Sequence, residues 1–335
     1  MTAAGATADI VLADWGTTSL RAWALDRQGN LLDERRSDSG MGTLSRDQYA
    51  PELQRHLSVM GVPDETPVLI CGMAGAAQGW QEAPYIEAPT DFAALADGAI
   101  TIAGQAHVRQ AHVGQAQVGQ AQVGQTRDIR ILPGIAQRDS ARPDVMRGEE
   151  TILHGLVCNG VQDGTVCLPG THSKWADIAG GRLDGFRTMM TGEMFALLGD
   201  RSILRHTVMS GGWSDDDFIT AVGEAHADPS RALAGLFGLR AGPLLFGDAV
   251  PHGASRLSGL MIGAEIASCL HSDGKPLHLA ATGKMAAHYA KALTGLGIGF
   301  DMVDAELAVR TGLFDIASIL WPERIPQRPQ GGTTE

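Results

Sequence analysis

The stretch Ile10–Leu25, IVLADWGTTSLRAWAL, decides how this chain is read. It begins as an apolar run, breaks at Asp14-Trp15-Gly16-Thr17-Thr18, and resumes as the alternating run Leu20-Arg21-Ala22-Trp23-Ala24-Leu25. The pattern predicts a strand, a tight polar turn and a second strand. The turn carries one acid, one glycine and the hydroxyls of Thr17, Thr18 and Ser19. Glycine lets a backbone approach a ligand closely, and successive N–H groups in such a turn form an anion-binding concavity. A carboxylate beside them can hold a divalent cation through water. The turn therefore reads either as a phosphate-and-metal loop or as an ordinary hairpin with a chance acid.

The chain around it has 335 residues, 44% hydrophobic and 19% charged, which suits a globular protein of about two domains. No apolar run is long enough to span a bilayer. Met1 to Asp9 lacks the basic start and apolar segment of a secretion signal. Cys71, Cys158, Cys167 and Cys269 are scattered without CxxC pairs. They read as small buried hydrophobes in a reducing cytoplasm rather than a disulfide or zinc framework. The net charge of −12 and the lack of any basic cluster beyond Arg35-Arg36 argue against a nucleic-acid partner. An anionic ligand must be held by local donors against that overall field.

Further along, Ser45–Met60 has helical spacing, and Pro67–Cys71 is a buried strand running into a loop with Gly72, Gly75 and Gly79. Residues 105–125 are four near-identical pentapeptides, a low-complexity insertion whose His107 and His112 read as repeat residues rather than a metal site. Asp128–Ile135 reads as one strand ending in Pro-Gly. Gly148-Glu149-Glu150 precedes an apolar helix, where acids also serve as a charge cap.

The opening pattern then recurs. Thr165–Leu168 is an apolar strand, Pro169–Lys174 a polar turn, and Trp175–Ile178 a strand again. Gly16-Thr17-x-Ser19 falls on Gly170-Thr171-x-Ser173, and the next turns also correspond, Gln28-Gly29 with Gly180-Gly181. The repeat predicts two similar domains, each opening with a three-strand meander. A helix-rich insert covers 201–248, and a buried strand, Pro276–Ala281, leads through Thr282-Gly283-Lys284 into a helix. The tail from Pro322 is Pro, Gly and Thr rich and reads as disordered.

The chain has no GxxxxGK[ST], no strand-GxGxxG-helix, no HExxH and no GxSxG. What it has is two hairpin turns able to grip a polyphosphate, a strand-turn-helix able to take a nucleoside, and an acid pair before an apolar helix. Together these resemble the sugar-kinase, Hsp70 and actin superfamily. Asp14, Gly16, Thr17, Thr18, Ser19 and Arg21 match its first phosphate motif and Gly170-Thr171 its second. Thr282-Gly283 stands where the adenosine motif usually has a run of glycines. Gly72–Tyr85 (GMAGAAQGWQEAPY), Met146–Thr151 (MRGEET), Leu168–Trp175 (LPGTHSKW) and Met190–Glu193 (MTGE) narrow the resemblance to the 2-dehydro-3-deoxygalactonokinase family.

That resemblance implies an α/β fold. Two ribonuclease H-like (actin-like ATPase) domains, mixed sheets flanked by helices, would border an interdomain cleft. The domains would be 1–148, on the sugar side, and 149–321, on the adenosine side, followed by the tail 322–335. It implies ATP-dependent, Mg²⁺-assisted phosphorylation of 2-dehydro-3-deoxy-D-galactonate at the C6 hydroxyl, in the cytoplasm, in galactonate and galactose catabolism. Asp14 would orient the metal. Glu149 would be the base, with Glu150 its rival. Gly16, Thr17, Thr18, Gly170, Thr171, Ser173, Lys174, Thr282 and Gly283 would hold ATP, Lys174 otherwise being a solvated turn lysine. Arg21, Gly42, Gly72, Met73, Gly75 and Arg147 would face the sugar acid. Either arginine suits its carboxylate, a phosphate, or an acid partner within the protein. Trp15 and Trp80 read as packing residues. Another sugar kinase of the superfamily, or a non-catalytic actin-like nucleotide-binding regulator, are the alternatives. The partners are small molecules, with no membrane, and the oligomeric state is open, a homodimer among the options.

Overall fold

The computed structural model describes residues 7–103, 127–208, 212–247, 252–270 and 274–326. The pentapeptide insertion and the end of the tail lie outside them. The chain divides into two compact units, Met1–Asn159 with Leu307–Glu335, and Gly160–Glu306.

In the first unit, β1 (Ile10–Trp15), β2 (Leu20–Leu25) and β3 (Leu31–Ser37) form an antiparallel meander. Helix α1 (Tyr49–Val59) leads to β4 (Val68–Gly72), which pairs in parallel with β1. β5 (Tyr85–Glu87), α2 (Ala94–Asp97), β6 (Ile100–Thr101), β7 (Ile129–Ile131), β8 (Gly134–Gln137), β9 (Asp144–Met146) and α3 (Glu149–Cys158) follow. The main sheet runs β3-β2-β1-β4-β7-β6, and β5-β8-β9 make a small second sheet. Central β1 and β4 are apolar on both faces because both faces are covered, whereas the edge strand β3 is polar, LLDERRS. On one face, Val11, Ala13, Trp15, Leu20 and Ala22 pack against Tyr49, Leu53 and Leu57 of α1. Trp15 is fully buried, its indole N–H donated to Ser39 O at 2.8 Å and its ring 4.8 Å from Tyr49 and 6.1 Å from Trp80.

The second unit repeats the plan. β10 (Gly164–Leu168), β11 (Ser173–Ala179) and β12 (Arg182–Met189) form the meander. The helices α4 (Thr191–Arg201), α5 (Arg205–Val208), α6 (Asp215–Ala227), α7 (Arg231–Ala234), α8 (Leu236–Phe246) and α9 (Gly253–Cys269) follow. β13 (Leu277–Ala280), α10 (Gly283–Gly295) and β14 (Asp301–Val303) come next, and α11 (Ala305–Leu320) follows them. The sheet runs β12-β11-β10-β13-β14, with β13 and β14 parallel to β10. An antiparallel meander joined to parallel strands in the order 3-2-1-4-5, seen in both units, is the ribonuclease H-like arrangement. The α/β fold class implied by the resemblance, and the meander that the repeat predicts for each domain, are the ones observed.

Two details differ from the sequence reading. The compact units divide at Asn159/Gly160 and Glu306/Leu307, so α3 and nearly all of α11 belong to the first unit. A division at 148/149 placed both in the second. The two helices cross at glycines: a Cβ on Gly155 would press into the Ala308 backbone, and one on Gly312 into Thr151 O. His154 Nε2 and Asp315 Oδ2 pair across the same crossing at 2.9 Å. Second, Asp128–Ile135 holds two strands in different sheets, β7 and β8, separated by Leu132-Pro133. Proline has no N–H to continue the ladder.

Candidate active site

In the first unit the site is built where β1 and β4 end side by side, Trp15 opposite Gly72 in register. Gly72 has φ +87°, and a Cβ there would lie 2.7 Å from Trp15 O, so only glycine fits the turn out of β4. Gly148, φ +111°, opens α3 with its own Cβ position 3.4 Å from Gly72 Cα. This approach of two glycines sets the acid pair at the start of α3 close to Asp14, the last acid of β1.

Asp14 Oδ2 is ion-paired with Arg21 Nη2, its cross-strand partner in β2. Cys71 joins the group, its Sγ 3.8 Å from Asp14 Oδ1 and 3.6 Å from Thr151 Oγ1. Burial first, then the charges of Asp14 and Glu150, push the Cys71 thiol well up. Glu150 is fully buried. Its Oε2 accepts the Gly148 N–H at 2.6 Å, and its Oε1 has no hydrogen-bond partner. Burial, and secondly the neighbouring Glu149 charge, push its carboxyl up to about 8. Glu149 is half-buried, with Oε2 3.1 Å from the Arg147 N–H.

Arg147 is buried against the glycine loop. Its Nη2 donates to Ala83 O at 2.9 Å, and its guanidinium lies 4.4 Å over the Tyr85 ring. Gly75 makes room for it, since a Cβ there would come within 2.8 Å of Nη1. Nε and Nη1 have no acceptor. The first hairpin turn is braced from below by residues 40–42: Met41 N–H donates to Gly16 O at 3.0 Å and Gly42 N–H to Thr17 O at 2.8 Å. Thr17 and Thr18 are exposed at its tip.

In the second unit the corresponding turn, Pro169–His172, carries the exposed Thr171 and is packed against the first turn of α4. Glu193 N–H donates to Thr171 O at 2.9 Å, and a Cβ on Gly192 would lie 2.8 Å from Thr171 Cα. Thr282, Gly283 and Lys284 are exposed where β13 passes into α10, Gly283 with φ +65°. A buried polar group lies beneath both. Glu265 of α9, 1% exposed, accepts the Trp175 indole N–H and the Tyr289 hydroxyl, each at 2.8 Å. Ser173 Oγ lies 3.0 Å from the Tyr289 oxygen, and Thr191 also bonds Glu265. Burial holds the Glu265 carboxyl above its ordinary value despite these donors.

The chain as a whole matches a known family. Residues 14–316 fit the family model described as 2-keto-3-deoxy-galactonokinase. The chain belongs to that family. It is 42% identical over 333 residues to the "Probable 2-dehydro-3-deoxygalactonokinase DgoK1" of Rhizobium meliloti (strain 1021), covering 96% of this chain and all of that one. The 2-dehydro-3-deoxygalactonokinase of Escherichia coli (strain K12) is 30% identical over 317 residues, covering 93% and 98%. A crystal structure assigned to a 2-dehydro-3-deoxygalactonokinase of Sinorhizobium meliloti superposes with a TM-score of 0.83 at 41% identity, covering 93% and 99%.

Within this galactonokinase-family fold, Asp14, Arg21, Gly72, Arg147, Glu149 and Glu150 come together in the first unit. Arg21 finds its acid partner inside the protein, in Asp14. Gly42 spends its N–H on Thr17. Met73 and Gly75 form a single 3-10 turn, with Ala76 N–H donating to Met73 O at 3.0 Å. Gly170, Thr171, Thr282 and Gly283 stand at exposed loops of the second. Ser173 and Lys174 do not: both lie in β11, 0% and 5% exposed. Residues alternate between faces in a strand, and both faces of this inner strand are covered, so neither stands as a turn residue. The sequence reading missed Glu265, although a lone acid in the apolar helix LSGLMIGAEIASCL was the available signal. It also passed over Cys71 and Thr151 as members of the Asp14 group.

Proposed function

We propose that this chain transfers the γ-phosphoryl group of ATP to the C6 hydroxyl of 2-dehydro-3-deoxy-D-galactonate, yielding the 6-phosphate and ADP, in cytoplasmic catabolism of galactonate and galactose. The names of the relatives support the substrate. The observation that carries the chemistry is the Gly72–Gly148 approach, which sets an acid pair beside Asp14.

Phosphoryl transfer asks for positioning and neutralised charge more than covalent chemistry. In the first unit the exposed hydroxyls of Thr17 and Thr18, and in the second the Gly170-Thr171 turn, are candidate donors for phosphate oxygens. Thr282 and Gly283 are offered to the nucleoside. The Asp14 surroundings fit a hydrated Mg²⁺: the donor is a carboxylate, and the absent Cβ of Gly72 leaves space 3.4 Å from Oδ1. When bound, that ion would neutralise charge on the β and γ phosphates. Glu149 takes the proton of the C6 hydroxyl, because its carboxylate is accessible. Glu150 is enclosed, and with its carboxyl raised to about 8 it holds a proton at neutral pH. Of the two arginines, Arg21 is engaged with Asp14, whereas Arg147, although buried, has no acceptor at Nε and Nη1, which makes it the candidate for the sugar-acid carboxylate.

The test is an ADP-release assay with 2-dehydro-3-deoxygalactonate, its C4 epimer, and a panel of neutral ketoses and polyols. Sugar-acid-dependent release with Mg²⁺ is expected. Equal rates on neutral sugars would reassign the substrate, and ATP binding without release on any of them would leave a nucleotide-binding regulator.

A further inference from the structure

Three unlike side chains that the kinase chemistry does not use meet where α3 crosses α11. His154 and Cys158 stand four residues apart on α3, so they share one face of that helix. Asp315 reaches them from α11, at the same crossing that Gly155 and Gly312 permit. One ligand atom from each lies within 4.8 Å of the other two. His154 Nε2 is 2.9 Å from Asp315 Oδ2 and 3.6 Å from Cys158 Sγ, and the sulfur is farther from Nδ1, at 3.9 Å. The imidazole is 7% exposed, with its ring 5.5 Å from that of Phe92. A ring nitrogen offers a single N–H or a single lone pair, so Nε2 serves one of its two neighbours at a time. An ion set among the three atoms engages all of them together.

We propose that His154, Cys158 and Asp315 bind a divalent ion of the zinc class, with water as the fourth ligand. Around a tetrahedral zinc the ligand atoms stand about 3.4–3.6 Å apart, given its ordinary bond lengths to nitrogen, oxygen and sulfur. The Nε2–Sγ distance already has that value, and the carboxylate needs to withdraw by about half an ångström to admit the ion. Charge fits as well. A thiolate and a carboxylate bring two negative charges to a place that is only partly exposed, and one divalent ion cancels them. Cys158 is the last residue of α3, where the helix dipole favours a cation. The mixed nitrogen, sulfur and oxygen set selects zinc over Mg²⁺, which keeps to oxygen ligands. Bound there, the ion ties α11 to α3. No CxxC pair marks the site in the sequence, because its carboxylate lies 161 residues beyond His154.

The experiment titrates Co²⁺, a spectroscopic stand-in for zinc, into the reduced, untagged full chain without ATP or sugar acid. The wild type is expected to develop a thiolate-to-cobalt charge-transfer band that saturates at one ion per chain and is lost when Zn²⁺ displaces the cobalt. Cys158→Ser should lose the band with its far-UV spectrum intact. Asp315→Asn should keep the band and bind cobalt at least 10–100-fold more weakly, the range for loss of even an outer-shell partner. A second reading needs no variant. Cys71, Cys167 and Cys269 are buried, so iodoacetamide on the folded chain reports on Cys158, and Zn²⁺ should slow its labelling as mapped by mass spectrometry. Absence of the band at every cobalt concentration, a band that survives in Cys158→Ser, or labelling of Cys158 indifferent to Zn²⁺ overturns the proposal.

Discussion

Glu150 Oε2 accepts the Gly148 N–H at 2.6 Å, two residues back along the chain. The bond holds the buried Glu150 carboxyl against the start of its own helix, whereas Glu149 is the less buried acid of the pair. Glu149→Gln is therefore expected to lower kcat by about 10²–10⁴-fold, the range for loss of a positioned proton acceptor, with little change in the KM for ATP. Glu150→Gln, which mimics the protonated acid, should keep most of the turnover. Steady-state ADP release with both variants checks this, and the reverse ranking would make Glu150 the base.

The same carboxyl predicts a pH dependence of stability. Below about 4.5 both folded and unfolded chains hold the Glu150 proton. Between there and about 8 only the folded chain does, so this group makes stability fall as pH rises through that interval, and level off above it. The decline is on the order of 5 kcal/mol at most. Urea midpoints measured from pH 5 to 8.5 should fall less steeply in Glu150→Gln than in the wild type.

Asp14 shares its charge with Arg21, so its role can be separated from packing. Asp14→Asn keeps the shape of the side chain and removes the charge. Its kcat should fall about 100-fold or more, since metal-held charge supplies several kcal/mol to such a transition state. The Mg²⁺ concentration for half-maximal rate should rise. A magnesium titration at saturating ATP reads both, and an unchanged metal dependence would remove Asp14 from that role.

Glu265 ties the strand after the second turn to the helix after Thr282. Glu265→Leu strands the Trp175 indole N–H and the Tyr289 hydroxyl in a dry interior and should cost about 2–5 kcal/mol. Glu265→Gln retains an acceptor and should stay folded. If the network positions the nucleotide loops, that milder variant should raise the KM for ATP while leaving the KM for the sugar acid near its original value. Equal changes in both would mark Glu265 as structural only.

The repeated strand-turn-strand was legible because it is local: apolar alternation, a glycine and a hydroxyl cluster within sixteen residues, present twice. The Asp14 motif and the acid pair were legible for the same reason. What stayed hidden depends on distant partners. Ser173 looks like a turn residue until Tyr289 is seen 3.0 Å away. That the first compact unit takes in nearly all of α11 depends on Ala308 and Gly312 meeting α3 from far along the chain, which no window of sequence reports. The three-residue strands β5 and β9 are too short to carry a period.

The α3–α11 crossing also bears on how the chain is made. The second unit is one continuous stretch, complete once Glu306 has been synthesised. The first unit is interrupted, and its Gly155 groove has no occupant until α11 arrives. During synthesis the earlier unit therefore lacks α11 against Gly155 until the later-numbered unit has been made. The helix that closes the first unit is made only after the whole of the second unit.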